Sequence, residues 1–291
     1  FVFAGCSGDE NLPGGEVNDG RVALQVSSGI QTRAFDNQWE DGDEIGIFML
    51  NNGQNTVADG YDNVPYRVAS AGEGGKSFTP SFEVIYFPTN GDKRDFIAYY
   101  PYSADKVAEG VYAIDLTVQN PQKDIDFMLA GKVTDKSRDD ANVSFQFVHK
   151  LAKIVMDIQP GDGVTADDLK NITVSLTGQP TEGTFDVLNG QHVTVTSTDK
   201  KAVTLLADAD GTRAEGIVFP SENYDGMSFT FATQAIGAYE WPLSQSTKAT
   251  KFEAGKKYLY TITVNKTAIE VTASIKDWEP GNEGGENGSA E

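Results

Sequence analysis

The chain holds two histidines, His149 and His192, and nucleophilic catalysis of the Ser-His-Asp or Cys-His type would depend on one of them. His149 lies inside the apolar run Phe147-Val148-His149-Lys150, where we interpret it as a packed structural imidazole. His192 follows Asn189-Gly190-Gln191 and is expected in a hairpin. With one cysteine in the chain, no cluster of His and Cys has the spacing of a transition-metal site. The residues therefore predict a protein that is not an enzyme and needs no cofactor.

Acidic residues form the other candidate groups for chemistry. Asp208, Asp210 and Glu215 around Gly211 reproduce part of the ligand spacing of a calcium loop, but an EF-hand needs a further ligand and flanking helices. We interpret these residues as solvated turn residues, with weak calcium binding as the alternative. A second acidic group surrounds Trp39 and comprises Asp36, Glu40, Asp41, Asp43 and Glu44.

Aromatic residues give a possible platform for sugar rings. Tyr99, Tyr100 and Tyr102 surround Pro101, and Trp241 precedes another proline. Aromatic residues near strand ends more often pack in cores and interfaces, and we favour that interpretation. A glycan-binding surface remains the alternative.

Cys6, the only cysteine, follows directly after Phe3-Ala4-Gly5. A short apolar tail ending in small residues is typical of the end of a secretory signal, and the polar residues 7–11 are suited to a tether. We predict that Cys6 is the lipidated residue of a bacterial lipoprotein, so that outer-membrane lipid is a partner. The alternative is an incidental thiol near a chain end.

Composition excludes two further classes of partner. With 23 Lys and Arg against 43 Asp and Glu, the net charge is −20, and the chain should repel nucleic acid and acidic lipid headgroups. No stretch approaches the ~18 continuous apolar residues of a transmembrane helix. Membrane attachment is therefore expected only through Cys6.

The elements that position these residues are predicted to be strands. Val22, Leu24 and Val26 alternate with polar or small residues, which is the period of a half-buried strand. The same alternation recurs at two places near the C-terminus. Its apolar positions are Tyr258, Tyr260, Ile262 and Val264 in the first place, and Ile269, Val271, Ala273 and Ile275 in the second.

Shorter apolar runs between these segments are separated by Gly, Asn, Asp and Pro at the spacing of sandwiches or barrels. The helix signals are nearly absent, and the best is a capping box from Thr165 to Asp168. The chain is therefore predicted to be all-β. The runs cover residues 45–50, 82–87, 96–100, 111–118, 172–176, 193–196, 202–206 and 228–233.

Residues 143–158 form the longest strand-like stretch, and its parity changes within it. The apolar positions are odd at Phe145 and Phe147 and even at Ile154, Met156 and Ile158. A bulge or a change of sheet is therefore expected at residues 151–153. The charged run 134–140 before it is interpreted as a surface loop.

We place a domain boundary near residue 142. The expected organisation is a signal remnant and tether at 1–20, an N-terminal β domain at 21–142, a C-terminal β domain at 143–279 and a flexible tail at 280–291.

Several motifs, in order, resemble the fimbrillin family of Bacteroides and its relatives, the subunits of type V pili. The resemblance extends from Val22 to Trp278. The motifs are Thr32-Arg33-Ala34, Trp39-Glu40-Asp41-Gly42-Asp43-Glu44-Ile45-Gly46-Ile47-Phe48, Ala98-Tyr99-Tyr100-Pro101-Tyr102, Asp126-Phe127-Met128, Phe147-Val148-His149-Lys150-Leu151-Ala152-Lys153-Ile154, Gly183-Thr184-Phe185, Phe252-Glu253-Ala254-Gly255-Lys256-Lys257-Tyr258 and Trp278.

The resemblance implies two tandem transthyretin-like Greek-key β-sandwiches in a lipoprotein precursor exported to the outer membrane. It also implies that an arginine-specific maturation protease removes the first strand, here residues 22–27, and that a donor strand from another subunit replaces it. Arg33 is the best candidate for the cleavage site. Arg21 is second, because cutting there would leave the strand attached.

The resemblance leaves the role of the last strand open. Either residues 269–278 form the donor strand, or the chain is an accessory or tip-like subunit that receives a strand and gives none. In both cases the expected protein is a structural or adhesive fimbrial subunit at the cell surface. Its partners would be other fimbrial subunits and a host or bacterial surface ligand. The alternative is a monomeric outer-membrane surface lipoprotein that binds glycans. Finding the first strand and the terminal segment at sheet edges would favour assembly.

Overall fold

The computed structural model describes residues 20–30, 39–69, 76–190 and 192–277. Cys6, Arg33 and Trp278 lie outside these ranges. The described chain is all-β, as predicted, with three single-turn 3₁₀ helices, Gln122–Asp124, Ala166–Leu169 and Leu243–Gln245. None of the described helices is long and apolar enough to cross a membrane.

The strands are β1 Gln25–Ile30, β2 Glu44–Asn51, β3 Val64–Val68, β4 Lys76–Pro80, β5 Arg94–Tyr100, β6 Val107–Ala108, β7 Val111–Asp115, β8 Met128–Ala130, β9 Val133–Lys136, β10 Asn142–His149, β11 Ala152–Pro160, β12 Thr173–Pro180, β13 Glu182–Asp186, β14 Thr194–Val195, β15 Lys200–Thr204, β16 Leu206–Ala207, β17 Arg213–Val218, β18 Ser228–Thr233, β19 Gly237–Pro242, β20 Lys256–Asn265 and β21 Ala268–Asp277.

The first sheet closes on itself. Its strand order is β2-β3-β4-β1-β10-β8-β5-β9, and β2 also pairs with β5, so hydrogen-bonded neighbours run around seven strands. Alternate side chains of β2 enter two different cores, Ile45 and Ile47 on one face and Phe48 on the other. The ring of Tyr99 on β5 occupies the space that a side chain at Gly46 would need. This sheet is therefore buried on both faces over β2 and β5.

The C-terminal part is built from two sheets that enclose a separate core. One has the strand order β16-β17-β11-β20-β21 and the other has the order β15-β12-β18-β19. Their facing side chains include Ile154, Met156, Phe229, Tyr260 and Ile262. The strand β21 lies at the edge of the first of these sheets.

A small antiparallel sheet joins the two parts. The strand β7 pairs antiparallel with β13, although about seventy residues separate them, and β6 and β14 complete the order β14-β13-β7-β6. Gln119 reinforces the connection, because its amide donates to the carbonyl of Ile217 and accepts from the Ile217 N–H. A third core cluster draws side chains from both parts of the chain, among them Phe127 and Phe185.

The predicted change of sheet is confirmed. The strand β10 ends at His149, β11 begins at Ala152 in a different sheet, and the chain bends at the two residues between them. The five residues predicted to be buried on either side of the bend are all buried, namely Phe145, Phe147, Ile154, Met156 and Ile158.

Three sequence interpretations need correction. The strand expected to open the C-terminal part, β10, lies instead in the first sheet between β1 and β8, because Val143, Phe145 and Phe147 pack with Leu24 and Val26. The charged run after residue 133 contributes β9, an edge strand paired with β5, and is more than a loop. Residues 82–87 form no strand beyond a bridge from Tyr86 to Ala23, and Phe82 is 89% exposed. The capping box of Thr165 and Asp168 is present as predicted.

Candidate functional site

The first strand lies inside the closed sheet. The strand β1 runs parallel to β10 and antiparallel to β4, so both of its edges are hydrogen-bonded. The segment before it is also held, since the Leu24 N–H donates to the Ile85 carbonyl and the Phe87 N–H donates to the Val22 carbonyl. An edge position of this strand would have favoured assembly over the surface-binding alternative, and its interior position does not meet that criterion. The terminal strand β21 does lie at an edge.

Alternation along the first strand directs its apolar side chains into the core. Leu24, Val26 and Ser28 are at most 6% exposed, whereas Gln25 and Ser27 are exposed. Val22 is partly buried against the same core cluster. The predicted period of two therefore holds and continues beyond residue 27.

The space that β1 fills between β4 and β10 is called the slot below. Its walls carry Phe78 on β4 and Val143 and Phe145 on β10, which are buried and pair with Val26 or Ser28. Without β1, two rows of backbone groups and these apolar side chains would face solvent. The slot can therefore bind an extended strand with apolar side chains at alternate positions.

Trp39 packs beside one end of the slot. Its ring makes edge contacts with Phe78, Tyr100 and Phe147 at centroid distances of 5.1, 5.2 and 5.3 Å. The cleavage candidate Arg33 lies in the undescribed segment between Ile30 and Trp39. A cut after Arg33 would separate β1 from Trp39, which would stay with the rest of the chain.

Asp43 stabilises the turn after Trp39. Its carboxylate accepts hydrogen bonds from the Glu40 N–H at 2.8 Å and from the Tyr100 hydroxyl at 3.2 Å. Burial raises the pKa of Asp43, against the opposing effect of these two hydrogen bonds. Glu40 and Asp41 are exposed, Glu44 is partly exposed, and Asp36 lies outside the described residues. This acidic group therefore has a structural role at Asp43.

The second acidic group is also engaged within the chain. Asp208 accepts hydrogen bonds from the Thr212 N–H and hydroxyl. Glu215 forms ion pairs with Lys153 at 3.0 Å and Arg213 at 2.6 Å. Burial alone would raise the pKa of Glu215, but these two cations lower it below its usual range. Across the described ranges, no group of three or more His, Cys, Asp or Glu side chains is arranged to hold a metal ion.

The two histidines lie in different environments, one buried and one exposed. His149 is buried at the end of β10, and its Nδ1 lies 2.7 Å from Asp126 Oδ1, which confirms the structural interpretation. His192 is exposed.

The aromatic residues considered for sugar binding pack inside the protein. Tyr99 and Tyr100 are buried, Tyr102 is partly buried, and Trp241 stacks on Phe229 with a centroid distance of 6.1 Å. They therefore form no exposed platform.

The possible donor strand is only partly covered. The strand β21 pairs with β20 over ten residues, and within the described ranges no strand pairs with its other edge. Ile269, Val271 and Ala273 are partly buried, and Ile275 is 38% exposed. Its apolar side chains are thus less protected than those of β1.

Sequence reasoning missed two residues of the slot. Ser28 continues the buried face of β1, and Trp39 borders the slot, although the sequence placed it only in an acidic group and in one of the family motifs. The signal available for Ser28 was its even position after Val22, Leu24 and Val26.

The chain is similar over most of its length to known fimbrial proteins. A family model described as fimbrillin-like matches residues 32–278. A curated Bacteroides uniformis protein named "Putative fimbrium subunit Fim1C" is 44% identical, and the match covers 100% of this chain and 95% of that protein.

Solved structures are similar as well. The crystal structure of a "putative cell adhesion protein" from Bacteroides uniformis has a TM-score of 0.80 and 41% identity, covering 90% of this chain and 100% of the other. A Bacteroides ovatus protein described in the same words has a TM-score of 0.67 and 24% identity, covering 89% and 98%, which shows the fold alone.

Proposed function

The chain belongs to the fimbrillin-like family, and from this premise we propose that it is a structural or adhesive subunit that enters a fimbria by exchange of its first strand. The observation that carries the proposal is the position of β1, which is hydrogen-bonded on both sides and fills an apolar slot. Removal of such a strand creates an acceptor for β-strand addition. Before cleavage, β1 itself fills the slot, and the precursor therefore stays monomeric.

The domain organisation of this subunit is part of the proposal. We infer two tandem transthyretin-like Greek-key domains that meet at Lys150 and Leu151, where the chain changes sheet, in place of residue 142. The separate C-terminal core supports this division. The fimbria would lie at the cell surface, with the precursor held at the outer membrane.

Arg33 is the proposed cleavage site for an arginine-specific protease. Limited digestion of the precursor should release β1 and convert a monomer into polymers, measured by size-exclusion chromatography with N-terminal sequencing of the product. Arg33→Ala and the charge-matched Arg33→Lys should both abolish this conversion, because neither residue is a substrate for such a protease. Arg21→Ala should leave it unchanged.

Two results would contradict this proposal. Polymerisation of the uncut chain at the same rate as the cut chain would show that β1 does not block assembly. Activation that is lost with Arg21→Ala and kept with Arg33→Ala would place the cut before the strand, where no slot is opened.

Cys6 is the proposed anchor of the precursor. Mass spectrometry of the native, membrane-associated protein should find acyl chains on an N-terminal Cys6, and Cys6→Ser should release the protein from the membrane fraction. An unmodified peptide that continues through Cys6 in membrane-associated material would disprove this anchor.

A further inference from the structure

The chain just before β1 is held at a second place, outside the slot. Two main-chain hydrogen bonds of 2.9 Å link residues 22–24 to residues 85–87. Between these two bonds, Ala23 bridges to Tyr86 in the antiparallel sense. The segment 85–87 belongs to neither wall of the slot, so these contacts add to those that β1 makes with β4 and β10.

Arg138 closes the outer end of this pairing. Three residues outward from the bridge of Ala23 with Tyr86, Gly20 comes opposite Thr89. The Arg138 guanidinium donates to both main-chain carbonyls, to that of Thr89 at 2.8 Å and to that of Gly20 at 3.3 Å. A planar guanidinium can bridge two acceptors in this way, whereas the point charge of a lysine ammonium does not reproduce the fork. One side chain thus ties the chain before β1 to the rest of the fold.

The turn that carries Arg138 is fixed by its own hydrogen bonds. It joins β9 to β10, and the Asp140 N–H donates to the Ser137 carbonyl at 2.9 Å. Asp140 forms its ion pair with Lys136, which leaves the guanidinium of Arg138 to the two carbonyls. The charged run that sequence analysis interpreted as a surface loop therefore contacts the segment that precedes the removable strand.

Building on the proposed function, we propose that the N-terminal fragment, defined as the residues up to Arg33, stays bound after the cut and that Arg138 sets the rate of its release. The contacts at residues 20–24 do not involve the cleaved bond. After the cut, Leu24 and Val26 remain buried and β1 remains paired on both sides. Dissociation of the fragment is therefore a step of its own, and the slot opens at that step and not at the cut.

The same contacts protect Arg21 from cleavage. Its guanidinium lies over the ring of Tyr86, 4.1 Å from the centroid. The carbonyls of Gly20 and Val22 on either side of it accept hydrogen bonds from the rest of the fold. A protease binds an extended, unpaired segment, and this segment is paired. The geometry therefore supports Arg33 over Arg21 as the proposed cleavage site.

Release of a labelled N-terminal fragment tests this inference. In a chain with Cys6→Ser, a fluorophore on Ser27→Cys lies on the exposed face of β1 and leaves with the fragment. After the cut, the Arg-specific protease is inhibited, and an excess of an unlabelled peptide of residues 20–33 fills each vacated slot. We expect the fluorescence anisotropy to keep the value of the uncut chain when cleavage is complete, and then to fall in a slower first-order decay.

Arg138→Lys should raise the rate constant of this decay about ten-fold, because the charge is kept but the bridging hydrogen bonds are lost. Arg138→Ala should release the fragment at least as fast. Arg67→Lys is the matched control, since Arg67 is exposed on β3 of the same sheet, and it should leave the rate unchanged. Equal rates for Arg138→Lys and Arg67→Lys would overturn the role of Arg138.

A shorter chain separates the hydrogen bond to Gly20 from a general effect on the turn. In a chain that begins at Val22, the fragment keeps all of β1 but lacks the Gly20 carbonyl. Arg138→Lys should then leave the release rate unchanged. An equal acceleration in the short and the full-length chains would mean that Arg138 acts on the turn and not on the fragment.

The outcomes separate this inference from the proposed function. If the anisotropy falls as fast as the bond is cut, the fragment is not retained and this inference is wrong, while strand exchange stands. If the fragment leaves at a rate set by Arg138 but the chain stays monomeric when the peptide is omitted, this inference stands and strand exchange falls.

Discussion

Replacing Phe147 with Ala should lower the free energy of unfolding by about 3 to 5 kcal/mol, the range for emptying a large aromatic site in a core. Phe147 is fully buried on β10, contacts the ring of Trp39 at 5.3 Å, and is the register partner of Ile30 in β1. Its removal therefore leaves a cavity at the end of the slot. Urea denaturation followed by circular dichroism measures the loss.

Val148→Ala is the matched control for this change. Val148 is the next residue of β10, faces the other side of the sheet and is only partly buried. We expect it to lower the stability by less than half as much as Phe147→Ala. A similar loss for both variants would show that the ring beside Trp39 is not packed as described.

The strands that sequence predicted best are those with one buried face. In β1, β20 and β21 a period of two separates core from solvent, and that pattern is local. The change of parity between Phe147 and Ile154 likewise predicted where the chain changes sheet. Local patterns do not specify partners, however, and so the pairing of β7 with β13 and the closure of β2 onto β5 could not be predicted.

Edge strands and the details of the slot were the least predictable. The charged side chains of β9 project from an edge, where polar residues are favoured, so that the strand has the composition of a loop. Val22, Leu24 and Val26 identified the removable strand, but its neighbours β4 and β10 come from distant parts of the chain. The importance of Ser28 follows only from the core that surrounds it.

The two parts of the chain should unfold as one unit, because the small antiparallel sheet and the third core cluster join them. Trp39 reports on the first part and Trp241 on the second, so single-tryptophan variants in which the other tryptophans, including Trp278, are replaced by Phe give separate signals. We expect coincident unfolding midpoints from the two reporters. If the unfolding midpoints of the Trp39-only and Trp241-only variants differ before any further substitution, the joining sheet does not couple the two parts.

Phe185→Ala should break this coupling. Phe185 on β13 is fully buried in the shared cluster, where its ring centroid lies 5.0 Å from that of Phe127. Its loss should cost about 3 to 5 kcal/mol, and should separate the two midpoints because the cavity lies in the contact between the parts. Phe231→Ala, equally buried but confined to the C-terminal core, should lower stability comparably. If Phe231→Ala separates the midpoints more than Phe185→Ala does, the coupling does not pass through the shared cluster. In a fibre that is pulled along its length, this coupling would determine whether a subunit yields in one part or resists as a whole.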